Sequence, residues 1–172
     1  MTDIADVRVH RLKDNPDERG FFREIIRVND DFFPEGFAQW SHSKMKKHVV
    51  KAWHFHHRQV DWWYIPVGSA EVVLYDLREE SPTYKQKMVF PLGEGAPAAV
   101  VRIPPGVAHG CQALEDGTHL FYITSQTYDP KDEGRYPYDW AQIGHPWRTP
   151  VVTVDTRTFM PPHERVPMAP AR

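Results

Sequence analysis

Cysteine is nearly missing from this chain: Cys111 is the single one in 172 residues. An intrachain disulfide is therefore impossible, and a reducing cytoplasm is the expected compartment. Long apolar runs are lacking as well. No stretch approaches the ~18 residues that a membrane-crossing helix needs. The N-terminus, MTDIADVRVHRL, has no apolar core of the kind a secretory signal carries. Charge of one sign is not in excess either. The net charge is −2 and the basic residues are scattered rather than striped, so neither nucleic acid nor a membrane is an expected partner. A long amphipathic helix, an internal repeat and a low-complexity tract are also absent.

What is present suits a globular chain with a pocket. Hydrophobic residues make up 41% and charged ones 26%, so the chain can bury a core. Its length fits one domain over residues 1–172, too short for a second core. Runs such as AEVVLYDL (70–77), KMVF (87–90), AAVVRI (98–103) and HLFYITSQTY (119–128) are rich in β-branched and aromatic residues. Turn residues separate them (PVGS, EESPT, PLGEGAP, IPPG, LEDG), in the rhythm of an all-β sandwich or barrel. Short helices are expected only around residues 30–33 and 129–134. From about residue 136, prolines and aromatics continue without alternation. This predicts an irregular tail packed over the barrel, its last ten or so residues loose.

Ten histidines and 13% aromatics turn attention to residues 51–68, KAWHFHHRQVDWWYIPVG. His54 and His56 are two apart, so on a strand both project from one face. Asp61 follows after HHRQ, long enough for a turn, and His109 comes just after the proline-glycine turn of IPPGVAHG. Together His54, His56, Asp61 and His109 could hold one divalent metal, and imidazole plus carboxylate suit Zn, Fe, Ni, Cu or Mn alike. The competing reading is a polar cavity without metal. Around these residues cluster Trp53, Phe55, Trp62, Trp63, Tyr64 and Tyr128, and alternation predicts about half of them on the cavity wall.

The spacing His54, His56, Asp61, Gly68 and then Pro104, Gly106, His109 resembles the two motifs of the cupin superfamily, with Asp61 where Glu is usual. A narrower resemblance lies over it. DERGFF (17–22), VVLYDLREESPTY (72–84), IPPGVAHG (103–110) and FYITSQTYDP (121–130) are similar to successive signatures of the dTDP-4-dehydrorhamnose 3,5-epimerases. The resemblance implies a double-stranded β-helix (cupin, or jelly-roll) barrel and a homodimer in which N-terminal strands, within about residues 1–30, make the dimer contact. It implies metal-free action on dTDP-linked 4-keto-6-deoxyhexoses. It also implies roles: His54 as catalytic base, Tyr122 as catalytic acid, His109 as a second pocket histidine, Arg19 on substrate phosphate, and Gln39 and Tyr128 beside the sugar nucleotide.

The chain departs from that family in the same region. Lys51 stands where the family has arginine three residues before its base, which keeps the charge without the bidentate fork. Asp61 stands where the family has a lysine near the enolate oxygen, and His56 where Gln is common. The carboxylate partner of the base histidine is open between Asp139 and Asp155. With His54 as a metal ligand, Lys51, His57 or Tyr122 would have to take the proton instead. Three functions follow: an epimerase working through His54 and Tyr122, a metal-dependent cupin oxygenase or isomerase with a three-His, one-Asp site, or a non-catalytic sugar-binding cupin.

Overall fold

Alternation of apolar and polar positions builds twelve short strands among residues 3–153, the part that the computed structural model describes. They are β1 (Arg8–Arg11), β2 (Asp14–Asp17), β3 (Gly20–Arg23), β4 (Gln39–Met45), β5 (Val50–His56) and β6 (Asp61–Val67). After them come β7 (Ser69–Asp76), β8 (Lys87–Gly93), β9 (Ala99–Ile103), β10 (Val107–Ala113), β11 (Thr118–Thr124) and β12 (Glu133–Arg135). Two five-stranded antiparallel sheets result, ordered β1-β9-β6-β11-β4 and β12-β5-β10-β7-β8, while β2 and β3 form a separate hairpin. This is the all-β jelly-roll sandwich that the sequence predicts.

The main core lies between the sheets, where Trp63 and Ile65 of β6 join Val72 and Leu74 of β7 and Val101 and Ile103 of β9. Val73 and Tyr75 of β7 belong to a second cluster on the outer face, covered by Tyr136, Ile143 and Trp147. The VVLY run is continuously apolar because its strand is buried on both faces. The other sheet is covered in the same way. Trp62 of β6 packs on Phe32, Phe33 and Val100, and its indole N–H donates to the Phe32 carbonyl at 3.1 Å. Burying one such large side chain contributes about 1.5–3 kcal/mol.

Two expectations need correction. No helix forms among the described residues. Residues 27–36 make separate turns (Asp30 N–H to Arg27 O, Phe33 N–H to Asp30 O), and Pro34 denies the next turn a donor. Around residue 130 a single turn, Asp132 N–H to Asp129 O, gives way to β12, because that segment satisfies its backbone on the edge of β5. The strand expected over 119–128 stops at Thr124, where Ser125 N–H turns to the Val60 carbonyl. None of the described segments is a helix long and apolar enough to cross a membrane.

The DLREESPT block is a structural hub. The carboxylate of Asp76, fully buried, accepts from Arg78 Nε (2.9 Å), Ser81 Oγ (2.6 Å) and Thr83 Oγ1 (2.6 Å). Arg78 also donates to Asp6 and to the Ala5 carbonyl, tying down the N-terminal segment. Gly106 permits this packing: its φ is +74°, and a Cβ there would lie 2.5 Å from Arg78 Cγ. Burial would raise the Asp76 carboxyl, but its Arg78, Ser81 and Thr83 partners outweigh burial and hold it below the ordinary range. Its stabilising contribution is therefore present above the usual carboxyl range and is lost as pH falls below about 4. We expect Asp76→Ala to lower unfolding free energy by about 3 kcal/mol, since it removes the buried carboxylate partner of Arg78 and leaves the Ser81 and Thr83 hydroxyls without their acceptor. Urea titration at pH 7 checks the loss, and repeating it toward pH 3 should show the variant losing less than the wild type.

Candidate active site

The alternation of β5 sorts its side chains. Trp53 and Phe55 face outward into the cluster with Tyr136 and Trp147. His54 and His56 face the opposite way, into a cavity of about 510 Å³ between the sheets. That volume suits a small-molecule site. His109 enters from β10, where it pairs with His54 across the ladder. The register then slips, so that Cys111 pairs with Lys51. This bulge changes the parity of β5 and lets Lys51 line the same cavity as His54, three residues away. The facing sheet contributes Gln39 from β4, Asp61 and Trp63 from β6, and Tyr122 from β11.

Each imidazole has its own setting. His54 Nδ1 lies 2.6 Å from Glu133 Oε1. Burial would raise the Glu133 carboxyl, but the His54 bond and Arg135 hold it down to about 2. His109 is 3% exposed and donates from Nδ1 to the Val107 carbonyl at 3.0 Å. Burial pushes its imidazole down to about 4, against the pull of Asp61, so it is neutral at pH 7. His56 Nε2 contacts the Gln59 amide nitrogen at 3.2 Å, and that nitrogen also donates to Asp61 Oδ1 at 2.8 Å. Asp61 is buried and takes a second bond from Trp63 Nε1 at 3.3 Å.

Of the residues singled out in the sequence, His54, His56, Asp61, His109, Lys51, Gln39, Tyr122 and Tyr128 all line this cavity. Gln39 Oε1 accepts from the Tyr128 backbone N–H at 3.0 Å, fixing the rim where Tyr128 lies 63% exposed. Arg19 is elsewhere: it sits on the β2–β3 hairpin, exposed, paired with Asp17. Of the six aromatics, Trp63 and Tyr128 line the cavity, whereas Trp53, Phe55 and Trp62 are core and Tyr64 packs on the far side of its sheet. His56, Asp61 and His109 bring their ligand atoms within 4.8 Å of one another, and His54 is outside that group.

The carboxylate beside His54 is neither Asp139, which is exposed, nor Asp155, which lies outside the described residues; it is Glu133. Sequence reading missed it by taking 129–134 for a helix. The signal was there: Glu133 and Arg135 are two apart around Gly134, which on a strand puts both on one face. Gly134 is required because a Cβ there would lie 2.0 Å from the Phe55 ring.

The profile of one family, described as dTDP-4-dehydrorhamnose 3,5-epimerase, matches residues 1–160. The spore coat polysaccharide biosynthesis protein SpsL of Bacillus subtilis is 44% identical over 149 residues, covering 85% of this chain and 97% of that protein. The dTDP-4-dehydrorhamnose 3,5-epimerase of Salmonella typhimurium is 34% identical over 155 residues, covering 85% of this chain and 83% of the relative. Among solved structures, the dTDP-6-deoxy-D-glucose-3,5-epimerase of Legionella pneumophila, in complex with dTDP-4-keto-L-rhamnose, has a TM-score of 0.80 at 26% identity. That match covers 89% of this chain and 85% of the other.

The seating of β12 on Phe55 generates a prediction. Gly134→Ala should push β12 off β5 and cost about 1–3 kcal/mol of overpacking strain. It should also loosen the His54–Glu133 bond. A thermal scan checks the first effect. Loss of the hydrogen-bonded imidazole N–H signal of His54 in proton–nitrogen spectra checks the second.

Proposed function

This chain belongs to the dTDP-4-dehydrorhamnose 3,5-epimerase family, and we propose on that premise that it inverts a carbon beside the ketone of a dTDP-linked 4-keto-6-deoxy sugar. One observation carries the mechanism: His54 on β5 and Tyr122 on β11 line one cavity from opposite sheets. A hydrogen beside a ketone is acidic because the electrons left behind spread onto oxygen. Inversion then needs a base on one face of that carbon and an acid on the other.

In this reading His54 Nε2 takes the proton while Nδ1–H is held by Glu133, which fixes the tautomer and offsets the imidazolium charge. The C–H electron pair moves to form the enolate. Tyr122 then delivers its phenolic proton to the opposite face as the enolate returns to the ketone, after which His54 releases its proton to solvent and solvent reprotonates Tyr122. Lys51 and Arg135 supply positive charge for the diphosphate. Gln39 and Tyr128 hold the sugar nucleotide at the rim, and His109 lines the interior as a neutral hydrogen-bonding group. Such a proton relay calls for no organic cofactor. Epimerases and sugar-biosynthesis proteins among the relatives favour this reading over an oxygenase or a binding module.

Arg19 fits the same reading through a second copy of the chain. It projects from an exposed hairpin whose Phe21 and Phe22 are 60% and 67% exposed, and it does not line its own cavity. A homodimer in which this hairpin crosses to the neighbour's cavity would bring Arg19 to the substrate phosphates and bury both rings.

Two experiments test these roles. In deuterated water with a dTDP-4-keto-6-deoxy sugar, His54→Asn should lower both deuterium exchange and product formation about 100- to 10,000-fold. Tyr122→Phe should keep exchange on one face while losing inverted product, and equal loss of both would refute the division of labour. For the dimer, co-expressed Arg19→Ala and His54→Asn chains should recover activity that neither has alone, because one of the two sites in a mixed dimer keeps both groups. No recovery would leave Arg19 without a role at the phosphates.

A further inference from the structure

We propose that His56, Asp61 and His109 form a divalent transition-metal site in the interior of the cavity, and that His54 is not one of its ligands. The cluster has ligand geometry: Asp61 Oδ1 lies 3.9 Å from His56 Nε2, and Asp61 Oδ2 lies 3.8 Å from His109 Nε2. Two atoms bound to one such ion at ordinary distances are about 3–4 Å apart, and the three ligand atoms lie within 4.8 Å of one another, so an ion would draw them together by about 1 Å. All three side chains are nearly buried, 11%, 5% and 4% exposed for His56, Asp61 and His109.

The proton arrangement points the same way. His109 gives its Nδ1–H to the Val107 carbonyl, so its Nε2 presents a lone pair toward Asp61. His56 Nε2 accepts from the amide nitrogen of Gln59, which also donates to Asp61, so an ion entering here takes the place of that amide between the two ligands. The backbone carbonyl behind His109 is the kind of outer partner that metal-binding histidines use to fix their free nitrogen. Trp63 Nε1 and Gln59 Nε2 orient the carboxylate. Two imidazole lone pairs and a carboxylate thus converge, the two-histidine, one-carboxylate set that leaves coordination positions open on the cavity side.

His54 stands apart: it is outside the group whose ligand atoms lie within 4.8 Å of one another. Four ligands suggested by spacing therefore become three, and the conflict between His54 as ligand and His54 as base disappears. An ion at this site supplies positive charge for an enolate oxygen, the service that the resembled family draws from lysine at the position of Asp61. That last use rests on the epimerase reading; the metal site does not.

The test is made on the full chain without substrate, so a failure of the epimerase reading would leave its result standing. Chelator-treated protein is titrated with Zn²⁺ alone by calorimetry. We expect saturation at one ion per chain, and a loss of affinity above about a hundredfold in Asp61→Asn, His56→Asn and His109→Asn, beyond the 10–100-fold typical of outer partners. His54→Asn should bind within a few-fold of the wild type. Absence of saturable binding, indifference to Asp61→Asn, or loss in His54→Asn as large as in His56→Asn would each overturn the proposal. Should the variants fail to fold, X-ray absorption of the Zn²⁺-loaded wild type decides: two imidazoles in the first shell support the site, and none, one or three refute it.

Discussion

Strand β5 must bury both of its faces, and most of the site follows from how it does so. Its imidazoles point into the cavity between the sheets, which leaves Trp53, 1% exposed, and Phe55 on the outside needing cover. The segment from Tyr136 to Trp147 provides it, with Tyr136 and Trp140 stacked at 3.8 Å and both Trp53 and Trp147 donating to the Tyr138 carbonyl. An aromatic pair adds about 0.5–1.5 kcal/mol beyond burial. To reach that position the chain must first run along the free edge of β5. Doing so makes β12, and β12 carries Glu133 to His54 and Arg135 to the cavity. The carboxylate that orients the histidine thus arrives by way of a hydrophobic contact on the other side of the sheet.

The residues that most clearly mark the family divide between chemistry and architecture. IPPGVAHG delivers His109 into the cavity, but its Gly106 is fixed by close packing with Arg78, and Leu77 N–H donates to the Gly106 carbonyl. Asp76, Arg78, Ser81 and Thr83 form a buried polar network on the same turn, and none of the four lines the cavity. A chain that kept this hub and changed the cavity would still match the family's sequence pattern while doing different chemistry. Function here has to be argued from the cavity.

Much of this was legible in the sequence because it depends on local rules. Alternation placed His54 and His56 together, turn residues separated the strands, and the VVLY and FYIT runs became β7 and β11. What was not legible depends on long-range packing. Glu133 was hidden because a short charged segment next to a proline reads as a turn or helix until a free strand edge is available to it. The aromatics of residues 53–64 look like a cavity wall in sequence, but three of them are core, since parity alone does not say which face of a sheet another segment will cover. Lys51 and His54 have opposite parity, and the register slip opposite Cys111 that reconciles them leaves no mark in the residue pattern. The exposure of Arg19 belongs to the same class, because a hairpin's destination in an assembly is not a property of its own residues.

The charge of the cavity sets the remaining problem. Glu133 is ionised at neutral pH and paired with Arg135, His109 is neutral, and Asp61 adds a second carboxyl group to the interior where a ketone oxygen must gain charge. A carboxylate about 4 Å from a developing enolate would oppose it by roughly 4 kcal/mol at an effective dielectric of 20. By transition-state arithmetic that is nearly a thousandfold in rate. Arg135 is paired with Glu133, whereas Lys51 donates to the neutral hydroxyl of Ser43 and keeps its charge for the diphosphate. The Gln59 amide offers a donor, but it is already shared between Asp61 and His56. Metal-free chemistry would have to draw on Lys51 or let a proton reach the oxygen as the C–H bond breaks, whereas a divalent ion between His56, Asp61 and His109 would convert the same carboxylate from an opponent of the enolate into a ligand of its counter-charge.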